Sequence, residues 1–151
     1  MKITTASNSL IELIKKFEGF SAKPYLCPAN VPTIGYGSTR YLHGSKVKLT
    51  DAPINELQAE ILLKDTLTQY ENAVDSYCVD NLNQNQFDAL VDFAYNCGNQ
   101  NLKTSTLLKK VNANPNDLSI KLEFAKWNKG GGKILNGLVK RRAAESELYF
   151  R

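Results

Sequence analysis

The sequence predicts an α+β protein of two lobes: a leading helix, a small antiparallel sheet, a long bridging helix and a helical C-terminal half. Apolar residues return every three or four positions before Gly19 and again beyond residue 53, which is the helical period. Between these stretches, Pro24 to Leu49 consists of short runs rich in Tyr, Val and Thr, broken by Pro and Gly, as in hairpins. The length of 151 residues, 42% of them hydrophobic and 23% charged, suits a single globular domain. We expect a sheet lobe over about 20–50, and a helical lobe over about 53–151 that also takes in the N-terminal helix.

In order along the chain, Asn8 or Ser9 is placed to cap a first helix carrying Leu10, Leu13, Ile14 and Phe17, with Gly19 ending it. The runs "KPYLCP", "VPTIGYGSTRYL" and "KVKL" predict a sheet of two or three strands. Thr50 or Asp51 can cap the next helix, with Pro53 in its first turn and Ile54, Leu57, Ile61, Leu62, Tyr70, Val74 and Tyr77 on one face. "NQNQFDALVDFAYNCG" predicts a helix burying Phe87, Leu90, Val91, Phe93 and Ala94 and stopping at Gly98. "STLLKKVNAN", "DLSIKLEFAKWN" and "GLVKRRAAESELYF" predict three more. "KGGGK" from Lys129 reads as a turn, because it lacks the strand-to-helix setting of a phosphate loop.

Composition narrows the function. A formal charge of +4 with scattered basic residues argues against nucleic acid, while leaving a polyanionic surface as a plausible partner. Cys27, Cys78 and Cys97 have no zinc-ligand spacing and leave at least one thiol unpaired, so reduced thiols and no metal are expected. No apolar core of signal-peptide length precedes Lys15, and no window of about eighteen apolar residues occurs, so the sequence predicts no membrane span and no export route of its own.

Glu18 is the strongest acid–base candidate. It sits in the last turn of a helix, where the helix dipole disfavours a carboxylate, and at a seam between structural units, where clefts form. Thr33 and Cys27 can face it from the sheet. Cys27 has three readings: a peptidase nucleophile served by His43, a small buried hydrophobe, or a thiolate standing in for a carboxylate as base or nucleophile. His43 reads as a loop residue, and Trp127 as a core or cleft-wall aromatic.

Glu18, eight residues, Cys27, five residues, Thr33 and then "IGYG" resemble the E-x8-(D or C)-x5-T signature of phage-type lysozymes, the endolysins of glycoside hydrolase family 24. "LIKKFEG", "PTIGYG", "FDALVDFAYNCG", "STLLKKVN" and "GLVKRRAAESELY" resemble the family's blocks in the same order across nearly the whole chain. The resemblance implies a lysozyme-like fold and a muramidase without cofactor. Its bond is the β-1,4 linkage between N-acetylmuramic acid and N-acetylglucosamine in peptidoglycan.

By position, the resemblance implies that Glu18 protonates the leaving oxygen, that Cys27 replaces the commoner Asp, and that Thr33 holds the attacking water or the substrate. Tyr36, Asn96 and Gly98 would line the substrate path, and Arg142, with Arg141 as the second choice, would correspond to the arginine that pairs with the catalytic Glu. Ser38 stands where the family usually has His, and activity is expected to survive that change. The resemblance further implies a monomer held in the host cytoplasm until a separate pore-former, a holin, releases it to the wall. A lytic transglycosylase making 1,6-anhydro ends is the rival enzyme, and an inactive wall-binding relative the rival from another class.

Overall fold

The computed structural model describes residues 2–79 and 81–151, which form two compact units. One is Ile11–Thr68; the other joins Met1–Leu10 to Gln69–Arg151. The division falls inside the first helix and again inside the long second one.

Helix α1 (Asn8–Glu18) starts one residue earlier than expected. Ser7 is its cap, accepting the Leu10 N–H on Oγ at 3.2 Å. Gly19, at φ +72°, ends it with an N–H bond to the Lys15 carbonyl at 2.9 Å. Strands β1 (Ser21–Leu26) and β2 (Pro32–Gly35) pair antiparallel, with Tyr25 opposite Thr33 and Leu26 opposite Pro32.

No third strand forms through "KVKL"; among the described residues this stretch makes the isolated bridges Ile34 to Ser38 and Arg40 to Lys46. Beyond Val47 the Asp51 carboxylate takes the Lys48 N–H and the Tyr41 hydroxyl, each at 2.8 Å, and turns the chain toward the next helix. Asp51 thus clamps a loop and caps nothing. Helix α2 (Glu56–Tyr77) begins at Asn55, whose side chain and that of Gln58 accept each other's backbone N–H at 2.8 and 2.9 Å. Ile34, Val47 and Leu62 form the core of this unit, flanked by Tyr41 and Ile54.

The buried stripe of α2 runs through Ala59, Leu62, Leu63, Leu67 and Val74, whereas Leu57 and Ile61 are 68% and 45% exposed. The apolar positions along this helix fit more than one stripe, and the face read from sequence is rotated from the buried one.

In the other unit, α3 (Gln84–Cys97) is the centre. Asn83 and Gln86 cap it reciprocally at 2.8 and 3.0 Å, and every residue from Gln86 to Ala94 is buried. It stops at Gly98, whose φ of +99° favours glycine. Helix α4 (Asn99–Thr104) follows at once and was not expected from sequence. Ser105 caps α5 (Thr106–Ala113), and α6 (Ile120–Ala125) precedes a hairpin of β3 (Lys129–Gly130) and β4 (Lys133–Ile134). "KGGGK" is the tip of that hairpin, with Gly131 and Gly132 at φ +58° and +79°, values that suit a two-residue hairpin turn.

Helix α7 (Asn136–Tyr149) packs on α3 and α6. Between α3 and α7 lies a buried set of four charged-type side chains. Arg141 binds Asp92 through two nitrogens at 2.8 and 3.0 Å, and Arg142 binds Glu145 at 2.7 Å. Burial pushes Glu145 well above the usual carboxylate range, and the neighbouring Asp92 charge adds to this. Burial opposes the Asp92 charge too, but a hydrogen bond from Glu145 and the Arg141 charge hold Asp92 below its ordinary value. The two carboxyl groups are thus driven apart, Glu145 toward its protonated form and Asp92 toward its ionised one.

Candidate active site

Glu18, Cys27 and Thr33 all belong to the sheet-bearing unit. Glu18 is the half-buried last residue of α1. Cys27 follows β1 directly and donates its N–H to the Val31 carbonyl at 3.1 Å, while its own carbonyl accepts the Asn30 N–H at 2.8 Å. Asn30 closes this turn at φ +60°, a conformation Asn tolerates better than most residues. The turn brings the chain back so that Thr33, on β2, lies close to Cys27.

The Cys27 thiol is held below the ordinary thiol range, chiefly by hydrogen bonding at the Val31 backbone. The Ala29 backbone, the Thr33 hydroxyl and its own backbone add to this, against partial burial. Thr33 is 3% exposed and donates its hydroxyl proton to the Val31 carbonyl at 2.8 Å. A hydroxyl has a single proton, so Thr33 either keeps that bond and accepts from the Cys27 thiol, or rotates to donate to the thiolate. Cys27 can therefore ionise without leaving its sulfur unsolvated, the requirement for a base or nucleophile.

Tyr25 was not singled out from sequence. Burial raises its phenol above the usual range, and the charges of Glu18 and Cys27 raise it further. The acid at the end of α1 and the thiol after β1 thus both lie within electrostatic reach of one side chain. The available signal was the strand period: Tyr25 stands two residues before Cys27 and opposite Thr33.

Tyr36 lies in the same unit but is buried, its ring 5.6 Å from that of Phe20 and under the Lys15 ammonium at 5.6 Å. His43 is an exposed loop residue whose Nδ1 accepts the Ser45 N–H. Ser38 is buried, and its backbone exchanges two hydrogen bonds with Ile34 at 2.8 and 3.0 Å.

Asn96, Gly98 and Arg142 belong to the helical unit. Arg142 is 1% exposed and reaches Asn96 Oδ1 at 2.8 Å, besides the Cys97 sulfur and Glu145. Asn96 and Arg142 line a cavity of about 290 Å³ together with Cys97, Asn101, Trp127, Lys129 and Leu138. Gly98 is not among its lining residues; it joins α3 to α4. Trp127 packs edge-on against Phe93 at 5.4 Å, half-buried, as a core-wall aromatic does. Asn101, Lys129 and Leu138 had no sequence signal, because the turn at Gly98 and the hairpin bring them to Arg142.

Cys27, Cys78 and Cys97 are free thiols, and burial pushes Cys78 up to about 11. Among the described residues no group of three or more His, Cys, Asp or Glu side chains could hold a metal ion. None of the described helices is long and apolar enough to cross a membrane.

The phage lysozyme family model matches residues 15–145. An endolysin of Bacillus phage B103 is 46% identical over 145 residues, covering 95% of this chain and 53% of its own length. An endolysin of Acyrthosiphon pisum secondary endosymbiont phage 1 is 39% identical over 142 residues, covering 91% and 92%. The chain thus spans about half the length of the Bacillus phage relative and nearly all of the second. Among solved structures, an endolysin from Escherichia coli O157:H7 phage FAHEc1 superposes with a TM-score of 0.87 at 35% identity, over 96% of this chain and 92% of that one.

Proposed function

The chain belongs to the phage lysozyme family, and we propose that it is a peptidoglycan hydrolase cutting the β-1,4 bond between N-acetylmuramic acid and N-acetylglucosamine. Glu18 gives its proton to the leaving glycosidic oxygen. Cys27, as thiolate, takes a proton from the attacking water, and Thr33 steadies that thiolate. The observation that carries this reading is the donor set around Cys27: Val31, Ala29 and Thr33 together favour the ionised sulfur on a hairpin whose Tyr25 also feels Glu18. A thiolate held by fixed donors is suited to accepting a proton from water, which gives inversion at the anomeric carbon.

Tyr36, Asn96, Gly98 and Arg142 are assigned to shaping and binding the glycan. The cavity that Asn96 shares with Arg142 supports this for those two residues, and likeness to the family pattern supports it for Gly98 and for Tyr36 within "IGYG". Action as a monomer and release to the wall through a holin belong to the same proposal. Lysis timed with and without a co-expressed pore-former tests the second, and light scattering the first.

The test of the chemistry is digestion of purified peptidoglycan in water enriched in heavy oxygen. Reducing muramic acid ends carrying the label, appearing first as the α-anomer, are expected. Unlabelled 1,6-anhydro ends would make the protein a transglycosylase, and a β-anomer formed first would make Cys27 a direct nucleophile. Glu18→Gln is expected to abolish turnover while the protein stays folded. A folded variant with normal turnover would remove the acid role.

A further inference from the structure

Tyr25 is two residues before Cys27 along an extended chain and directly across from Thr33, so the three side chains share one face of the hairpin. Thr33 on that face is buried, yet the Tyr25 ring stays 37% exposed. Its hydroxyl makes no hydrogen bond among the described residues, whereas the Tyr41 and Tyr149 hydroxyls do, to Asp51 and to the Pro115 carbonyl. An amphipathic ring with an uncommitted O–H, standing beside an acid and a thiol, is placed to meet a polar ligand that comes to them.

We propose that Tyr25 is a substrate-contacting residue of this site, its phenolic O–H donating a hydrogen bond to a sugar oxygen of the glycan strand. The proposal rests on the assignment of Glu18 and Cys27 as the reacting groups. Burial and the nearby negative charges of Glu18 and Cys27 keep the phenol protonated, so the donor persists across the range in which either group works. Because the contact is made to bound sugar, its loss shows in binding as well as in turnover.

The experiment uses Tyr25→Phe, which keeps the ring and removes only the donor, in both the parent and the Glu18→Gln background. The probe is a soluble tetrasaccharide of alternating N-acetylglucosamine and N-acetylmuramic acid. Turnover is measured in the parent background and equilibrium binding by calorimetry in Glu18→Gln. A neutral hydrogen bond predicts a loss of roughly 3- to 10-fold in kcat/KM and in affinity. The melting temperature should stay that of the parent, since the hydroxyl bonds to nothing in the fold. Parental kcat/KM and affinity in Tyr25→Phe would overturn the proposal, as would a loss explained by a lowered melting temperature. If Tyr25→Phe fails to fold, Tyr25→Trp, which keeps an aromatic donor, must bind the tetrasaccharide more tightly than Tyr25→Leu, and equal binding would overturn the proposal. Full activity of folded Glu18→Gln would instead strike the acid assignment, separately from any result at position 25.

Discussion

Glu145→Gln should leave the protein as stable as the parent at acid pH and more stable at neutral pH, although it removes a fully buried carboxyl group that binds an arginine. Burial drives Glu145 toward its protonated form in the folded state, and a Gln at 145 mimics that form: its Oε1 can still accept from Arg142 Nη2, which lies 2.7 Å from the Glu145 Oε1. In the unfolded chain Glu145 ionises near its ordinary value of 4.5. Folding at higher pH must therefore take up a proton, and parental stability falls by about 1.4 kcal/mol per pH unit between that value and the raised folded one. The gain of the variant at pH 7 is bounded at about 3 kcal/mol. Asp92→Asn is the contrast. It takes away the buried carboxylate that Arg141 binds through two nitrogens, at a cost on the order of 3 kcal/mol. A melting temperature lower by on the order of 10 °C is expected for it. Urea titrations of parent and both variants from pH 4.5 to 8 measure all of this. A Glu145→Gln protein that loses several kcal/mol at neutral pH would refute the placement of the proton, because it would mean that Arg142 needs a charged partner there.

Thr33→Val removes one donor from the Cys27 thiolate, so the acid limb of the pH–rate profile should move to higher pH; an unmoved limb would separate Thr33 from Cys27 ionisation. Gly35→Ala forces φ +67° on an alanine whose Cβ would lie 3.0 Å from the Ala59 Cβ. It should cost at least about 1–2 kcal/mol, read by urea unfolding. Asn83→Ala loses the α3 cap and should cost about 1 kcal/mol, with Asn83→Gly only a few tenths, and equal losses would mean that the cap bond is not the cause.

The placing of Glu18, Cys27 and Thr33 in one unit was legible because their spacing and residue types survive in one dimension: a carboxylate at a helix end and two polar groups on one hairpin. Helix α3 was legible too, since a nearly unbroken apolar run ending in Gly has few other solutions. Helix starts were less so. Asp51 is as good a capping residue as Asn55 when read alone, and only the capture of Lys48 and Tyr41 decides that Asp51 belongs to the loop. The stripe of α2 was misplaced for a related reason, because Leu57 and Ile61 obey helical spacing while lying exposed. The surroundings of Arg142 were out of reach of sequence. Asn101, Lys129 and Leu138 meet it through a positive-φ turn and a glycine hairpin, whose geometry no local pattern announces.

Helix α3 is a helix without an outer face: from Gln86 to Ala94 no residue looks out to solvent. Such a segment cannot fray or open alone, because releasing any turn of it strips cover from the elements around it. Its amide protons should therefore exchange with solvent only when the whole unit unfolds, and their protection reports the unit's global stability. Exchange along α3 thus gives a built-in gauge against which every substitution named above can be read, in the intact protein and without denaturant.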